Sequence, residues 1–271
     1  MTKVAACLVA LLIAFVITPR AGAIARHEAG KLQLPAYPTL QTPVEQIYKQ
    51  MFIEQGIEPD SRKATIVRAW VEKIRHDPVI LSVIPGGAQG VSQVFLDPRI
   101  RESVMSSGLA RLSAADRLSY IQLLTRFLDE LVPVNCYGEV DMGAAMNRVT
   151  LREMSDADVQ QYFELLYKIL SGDARKSPIA LPTPQQYAFA QLRLSRALLI
   201  ELDGNESDVE RYEAFARNPS LATPLDACWA TRVTLHAIVA MPDPERDFIL
   251  LRTLLPGDRQ TEIPAGEATA P

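Results

Sequence analysis

The stretch Ser113-Ala114-Ala115-Asp116-Arg117-Leu118-Ser119-Tyr120-Ile121-Gln122-Leu123-Leu124-Thr125-Arg126-Phe127-Leu128-Asp129-Glu130-Leu131 sets the fold class. Ser113 can accept a hydrogen bond from a free amide of a first helical turn, and Asp116 favours the positive end of the helix dipole. Leu118, Ile121, Leu124, Leu128 and Leu131 then recur every three or four residues, so they line one side of a helix. A strand, whose side chains alternate with a period of two, would split those residues between its faces.

The same start signal recurs in both directions from this stretch. Ser155-Asp156-Ala157-Asp158 and Thr223-Pro224-Leu225-Asp226 repeat it with Asp. Thr42-Pro43-Val44-Glu45, Thr183-Pro184-Gln185-Gln186 and Ser207-Asp208-Val209-Glu210 repeat it with Glu or Gln. Three of these place Pro at the first helical position, where its missing amide hydrogen costs nothing. A second stripe, Val159, Tyr162, Phe163, Leu166, Ile169 and Leu170, has the same spacing. Helices are therefore expected near 43–55, 61–76, 78–84, 97–107, 113–131, 155–171, 184–203, 207–216, 223–240 and 244–255. Breakers separate them at Pro59-Asp60, Pro85-Gly86-Gly87, Gly172, Pro178 to Pro184, Asp203-Gly204-Asn205, Asn218-Pro219 and Pro242-Asp243-Pro244. Val132–Val140 is the least helical internal stretch, and no alternating run reads as a strand. The fold class is all-α, an irregular multi-helix globular domain of about 9–10 helices. No repeat with a period of roughly 20 to 50 residues suggests a solenoid.

Of the 271 residues, 48% are hydrophobic and 22% charged, which excludes disordered, collagen-like and polytopic membrane classes. Residues 1–23 read as a Sec signal peptide. Lys3 precedes an apolar run from Val4 to Ile17, and Thr18-Pro19-Arg20 leads to Ala21-Gly22-Ala23, with cleavage after Ala23. As a helix that run rises about 21 Å, short of a hydrocarbon core of about 30 Å. Cys7 precedes most of the run, so it is not placed as a lipobox cysteine. The expected organisation is a signal peptide over 1–23, a helical domain over 24–256 with a sub-domain junction near 171–184, and a disordered tail over 257–271. Residues 25–41, with Pro35 and Pro38, are expected to lie extended over the surface.

Loss of the leader removes Lys3 and Arg20 and no acid, taking the formal charge from −4 to −6. Nucleic acid and anionic lipid both require a concentrated basic face, so neither is the expected partner. The expected location is the periplasm, or beyond it by secretion, with no transmembrane span after cleavage. Cys136 and Cys228 remain in the exported chain, and an oxidising compartment favours their pairing. Closing a loop of about 93 residues stabilises a fold by about 4 kcal/mol on the chain-entropy view.

Reaction chemistry has few candidates. The histidines are His27, His76 and His236. His76-Asp77-Pro78 closes a helix, where a cationic imidazole suits the negative dipole end. His236 follows Leu225, Trp229 and Val233 at helical spacing, so it is expected buried or half-buried with one hydrogen bond. No HExxH, His-rich tract or CxxC offers a metal site, no GxSxG or SxxK motif offers a nucleophile, and Pro85 to Gly90 lacks the Lys-Ser/Thr of a phosphate loop. Met142, Met146 and Met154 are read as core rather than as copper ligands. Asn205-Glu206-Ser207 matches a glycosylation sequon and serves equally as turn and cap.

The most distinctive segment is Asp129 to Asp141, with Asp129, Glu130, Glu139 and Asp141, a Tyr137-Gly138 turn and Cys136. Asn135, Tyr137 and Glu139 are candidate binding residues on an ordered loop. Glu139, Asp141, His76 and His236 are candidate acid/base residues, provided that burial separates the carboxylate pKa values. The leading expectation is an exported envelope protein that works by binding another envelope or secreted protein, as an accessory, adaptor or inhibitor, without metal or cofactor. An envelope hydrolase built on the 129–141 carboxylates and a carrier of a small apolar ligand are the alternatives. A deep cleft holding Glu139, Asp141 and a histidine marks the first, an enclosed apolar cavity the second, and a flat, partly apolar patch marks protein binding.

Overall fold

The computed structural model describes residues 43–84, 86–88, 91 and 105–254. The expectations for the leader, residues 25–41, His27, the Thr42 cap, the tail from 257 and the start of the helix near 97–107 lie outside those residues. The described helices are α1 (Pro43–Glu54), α2 (Arg62–His76), α3 (Pro78–Leu81), α4 (Ala114–Glu130), α5 (Met142–Met146), α6 (Asp156–Ala174), α7 (Pro184–Glu201), α8 (Glu206–Arg217), α9 (Pro224–Ala240) and α10 (Glu245–Leu254). A helical segment at 105–110 and 3-10 turns at Cys136–Gly138 and Pro219–Leu221 complete them, and no strand occurs among the described residues. The fold is all-helical.

Side-chain caps start these helices largely where the sequence signals fall. The hydroxyls of Ser113, Ser155 and Thr223 accept from the amides of Asp116, Asp158 and Asp226, each at 3.1 Å. Thr183 accepts from the Gln186 amide at 3.2 Å while Gln186 Oε1 accepts from the Thr183 amide at 2.8 Å, closing a capping box. The Ser207 assignment needs correction. Asp203 and Gly204 turn the chain tightly at φ 52° and 65°, leaving Asn205 extended, and its side chain caps α8 by accepting from the Asp208 amide at 3.3 Å. Asn is as good a cap as Ser, so the cap falls two residues sooner and the helix begins at Glu206. Gly172 also fails as a breaker, because α6 continues through it to Ala174. The short helix expected near 78–84 ends at Leu81.

One hydrophobic core joins buried residues from Tyr48 to Leu254. Helix α4 contributes several of its largest buried side chains, including Tyr120, Ile121, Leu123, Phe127 and Leu128. It packs against α6, α9 and α10, α2 lies on α6, and α7 lies across α9 and α10. All six residues of the α6 stripe are buried, as are Met142, Met146 and Met154. A bidentate ion pair from buried Arg117 to Asp247, at 2.7 and 2.8 Å, clamps α4 to α10. Cys136 and Cys228 form a disulfide, with Cα atoms 5.6 Å apart, joining the turn after α4 to α9.

Candidate functional site

The loop that follows α4 is held from several sides. Cys136, Tyr137 and Gly138 have φ values of 46°, 58° and 81°, a left-handed turn that costs non-glycine residues about 1–2 kcal/mol each. The disulfide fixes Cys136, while Tyr137 donates its hydroxyl proton to the Leu131 carbonyl at 3.0 Å. The Gly138 and Glu139 amides donate to the Asn135 and Cys136 carbonyls at 2.9 and 3.0 Å. From α9, Arg232 reaches the free carbonyls at the end of α4, donating to Leu128 and Val132 at 2.6 and 2.8 Å. A cation at that helix end complements its negative dipole. Burial draws the Arg232 pKa down, against the opposing pull of Asp129.

Each candidate acid in this region already has a partner. Asp129 accepts from His236 Nε2 at 2.9 Å and lies 3.6 Å from Arg232. Glu139 pairs with Arg148 at 2.6 Å, and the Arg148 guanidinium also sits 5.5 Å from the Tyr137 ring centre. Asp141 caps α5, accepting from the Gly143 amide at 2.8 Å. His236 is half-buried, and His76 is exposed at the end of α2 with Nδ1 2.8 Å from the Glu72 carbonyl. Among the described residues, none of Glu139, Asp141, His76 and His236 forms an ion pair or hydrogen bond with another of the four. No three His, Cys, Asp or Glu side chains among the described residues are placed to hold a metal ion. Of the three candidate binding residues, Tyr137 is engaged within the loop and Glu139 by Arg148 beyond α5, while Asn135 is exposed beside Val134.

Two adjoining depressions lie elsewhere, at the starts of α2 and α6. One, of about 710 Å³, is lined by Arg62, Ile66, Ser155, Asp156, Ala157 and Gln160. The other, of about 230 Å³, is floored by the 56–63 turn, with Arg152 and Asp156 at its side. Both contain charged residues and open to solvent. Arg62 and Asp156 stand 4.0 Å apart across them, and the Lys63 ammonium donates to the Arg152 and Met154 carbonyls.

A third feature is a surface that helical periodicity alone does not reveal. Helix α7 buries only Ala190 fully, while Phe189, Leu192, Leu199 and Ile200 are 48%, 70%, 52% and 71% exposed. At about 100° per residue these four fall within an arc of about 100°, with Arg196 inside it and Arg193 at its edge. The inward face carries Tyr187, Leu194 and Leu198, packed against the core. Apolar residues thus occupy both faces of a helix that the described residues support on only one. The signal in the sequence is the density of apolar residues from Tyr187 to Ile200, which exceeds what a one-sided helix needs. No known protein family matches the sequence, and neither a characterised protein nor a solved structure is detectably similar to it.

Proposed function

We propose that the chain is an exported protein that acts by binding a second protein of the cell envelope or its surroundings. The observation that carries this reading is the exposed apolar stripe of α7 on a disulfide-tied helical scaffold. Water gains from covering such a surface, since fully burying a large aliphatic or aromatic side chain is worth about 1.5–3 kcal/mol. Contiguous apolar patches on otherwise polar surfaces mark interaction sites. The disulfide fits an oxidising compartment, and the apolar run of residues 4–17 fits the leader that would deliver the chain there. The engagement of Asp129, Glu139 and Asp141 in ion pairs and a cap gives the hydrolase alternative no free carboxylate pair. The depressions beside Arg62 are open and polar-edged, unlike the enclosed apolar cavity a carrier of a small apolar ligand needs.

Photo-crosslinking tests this reading in the producing organism. A benzophenone amino acid replaces Leu192 in the full-length chain, with replacements of Asn135 and exposed Gln122 in parallel. The reading expects a protein adduct from position 192 and none from 122. An adduct from 135 alone moves the contact to the 129–141 loop, and no adduct from either site contradicts a binding role.

A further inference from the structure

We infer that the exposed face of α7 docks an acidic amphipathic helix of its partner, with Arg193 and Arg196 receiving that helix's carboxylates. The inference deepens the binding reading and rests on it. From Pro184 to Ile200 the only charged residues are Arg193 and Arg196, both exposed. Among the described residues neither has an ion-pair partner, and Arg193 is held over the Phe189 ring at 5.1 Å. The whole chain has a net charge of −4, so this face opposes the molecule's overall sign. Glu201, the first acid after them, points away from the stripe by helical rotation.

The spacing Phe189, Leu192, Arg196, Leu199 and Ile200 follows the three- and four-residue steps of helix-on-helix recognition. It spans about 16 Å along the axis, the length of three turns of a partner helix. Guanidinium groups pair carboxylates with two parallel hydrogen bonds and are enriched among the residues that dominate protein interfaces.

Charge also argues against two other occupants. A two-fold antiparallel pairing of two copies, centred on the stripe, would set Arg193 against Arg196 twice, and a parallel pairing would set Arg196 against itself. No acid within the stripe offsets that repulsion. A helix lying in a lipid interface keeps its cations on the polar side, with its apolar face sunk about 5–10 Å. Arg196 instead sits in the middle of the apolar arc, where a lipid surface would bury it and a protein carboxylate would pair it.

The adduct from position 192 supplies the test. Its partner peptide is sequenced, and its yield is compared in the otherwise unchanged chain, in Arg196→Glu, in Arg193→Glu/Arg196→Glu and in Arg193→Lys/Arg196→Lys. The expected result is a cross-linked segment with Asp or Glu flanking apolar residues at helical spacing. The yield should fall at least tenfold in the double Glu variant, and the Lys variant should retain most of it. Circular dichroism of the purified variants should be unchanged, since both arginines are exposed. A partner segment without acids, or a yield indifferent to charge reversal, overturns the acidic-helix proposal while leaving the binding role intact. An adduct to lipid, to another copy or within the same chain overturns the proposal and identifies the true occupant. An adduct from position 135 alone overturns the proposal and keeps the binding role, and absence of adducts from both 192 and 135 removes the binding reading as well.

Discussion

Where segment 105–110 crosses α6, Gly108 is placed so that a Cβ atom would lie 2.5 Å from the Ile169 carbonyl oxygen and 2.6 Å from Ile169 Cγ2. Ordinary contact begins near 3.4 Å, so Gly108→Ala must separate two buried backbones by close to 1 Å. Overpacking of this kind costs about 1–3 kcal/mol. With a backbone atom among the clashes the cost falls near the upper end of that range, and alanine's better helix propensity returns about 1 kcal/mol, leaving a net loss of about 2 kcal/mol. For a domain of this size that lowers the melting midpoint by about 4–8 °C. Gly172→Ala is the matched control, because its Cβ would meet the Arg111 Cβ at 3.4 Å. It should be neutral or stabilise by up to about 1 kcal/mol. Urea titrations followed by far-ultraviolet circular dichroism measure both, and an unchanged slope identifies a change in stability alone. If Gly108→Ala matched the wild type while Gly172→Ala did not gain, the close crossing of 105–110 over α6 would be wrong.

Cys136→Ser and Cys228→Ser should each lose about 4 kcal/mol, and the double variant should lose no more than either, because all three remove one cross-link. Thiol titration of the denatured, unreduced exported chain should detect neither cysteine, and two free thiols would end the pairing. Arg117→Ala should cost about 3–5 kcal/mol, since it strands the Asp247 carboxylate in a mostly buried position. Asp247→Ala on the same background should add less than its own separate cost, measured in a double-mutant cycle. The Tyr167 hydroxyl, donating at 2.6 Å, is the main reason the Asp77 carboxyl titrates below its ordinary value, helped by the Ile80 and Val79 amides. A depressed carboxylate stabilises the fold above its unfolded pKa near 3.9, and that contribution disappears as pH falls through the folded value. The advantage of wild type over Tyr167→Phe should therefore be full above about pH 5 and shrink in acid. Denaturant midpoints across pH 2–7 check this, and a constant gap would refute it.

The helices were legible because their determinants are local. Ser113, Ser155, Thr183 and Thr223 each act within four residues, and the α4 and α6 stripes repeat with a helical period. The Cys136–Cys228 bridge followed from the cysteine count and the expected compartment rather than from any contact that the sequence displays. Gly172 misled because a lone glycine costs a helix only about 1 kcal/mol against alanine, too little to end α6 where Ile169, Leu170 and Ser171 beside it are buried. Asn205 and Ser207 compete for one cap, and the left-handed residues Asp203 and Gly204 decide between them. Asp129 and Glu139 looked available because their partners Arg232, His236 and Arg148 lie on other elements or later turns. The α7 stripe was hidden for the opposite reason. Periodicity identifies apolar faces but not which of two faces the rest of the chain covers.

Hydroxyl-radical footprinting of Phe189, Leu192 and Ile200 most directly tests whether α7 serves as the contact surface. The protein is labelled in intact producing cells and again after purification, with exposed Val134 as an internal reference. The account predicts strong labelling of all three α7 residues in the purified chain and marked protection in cells, with Val134 labelled in both. Equal labelling of α7 in the two states would contradict it.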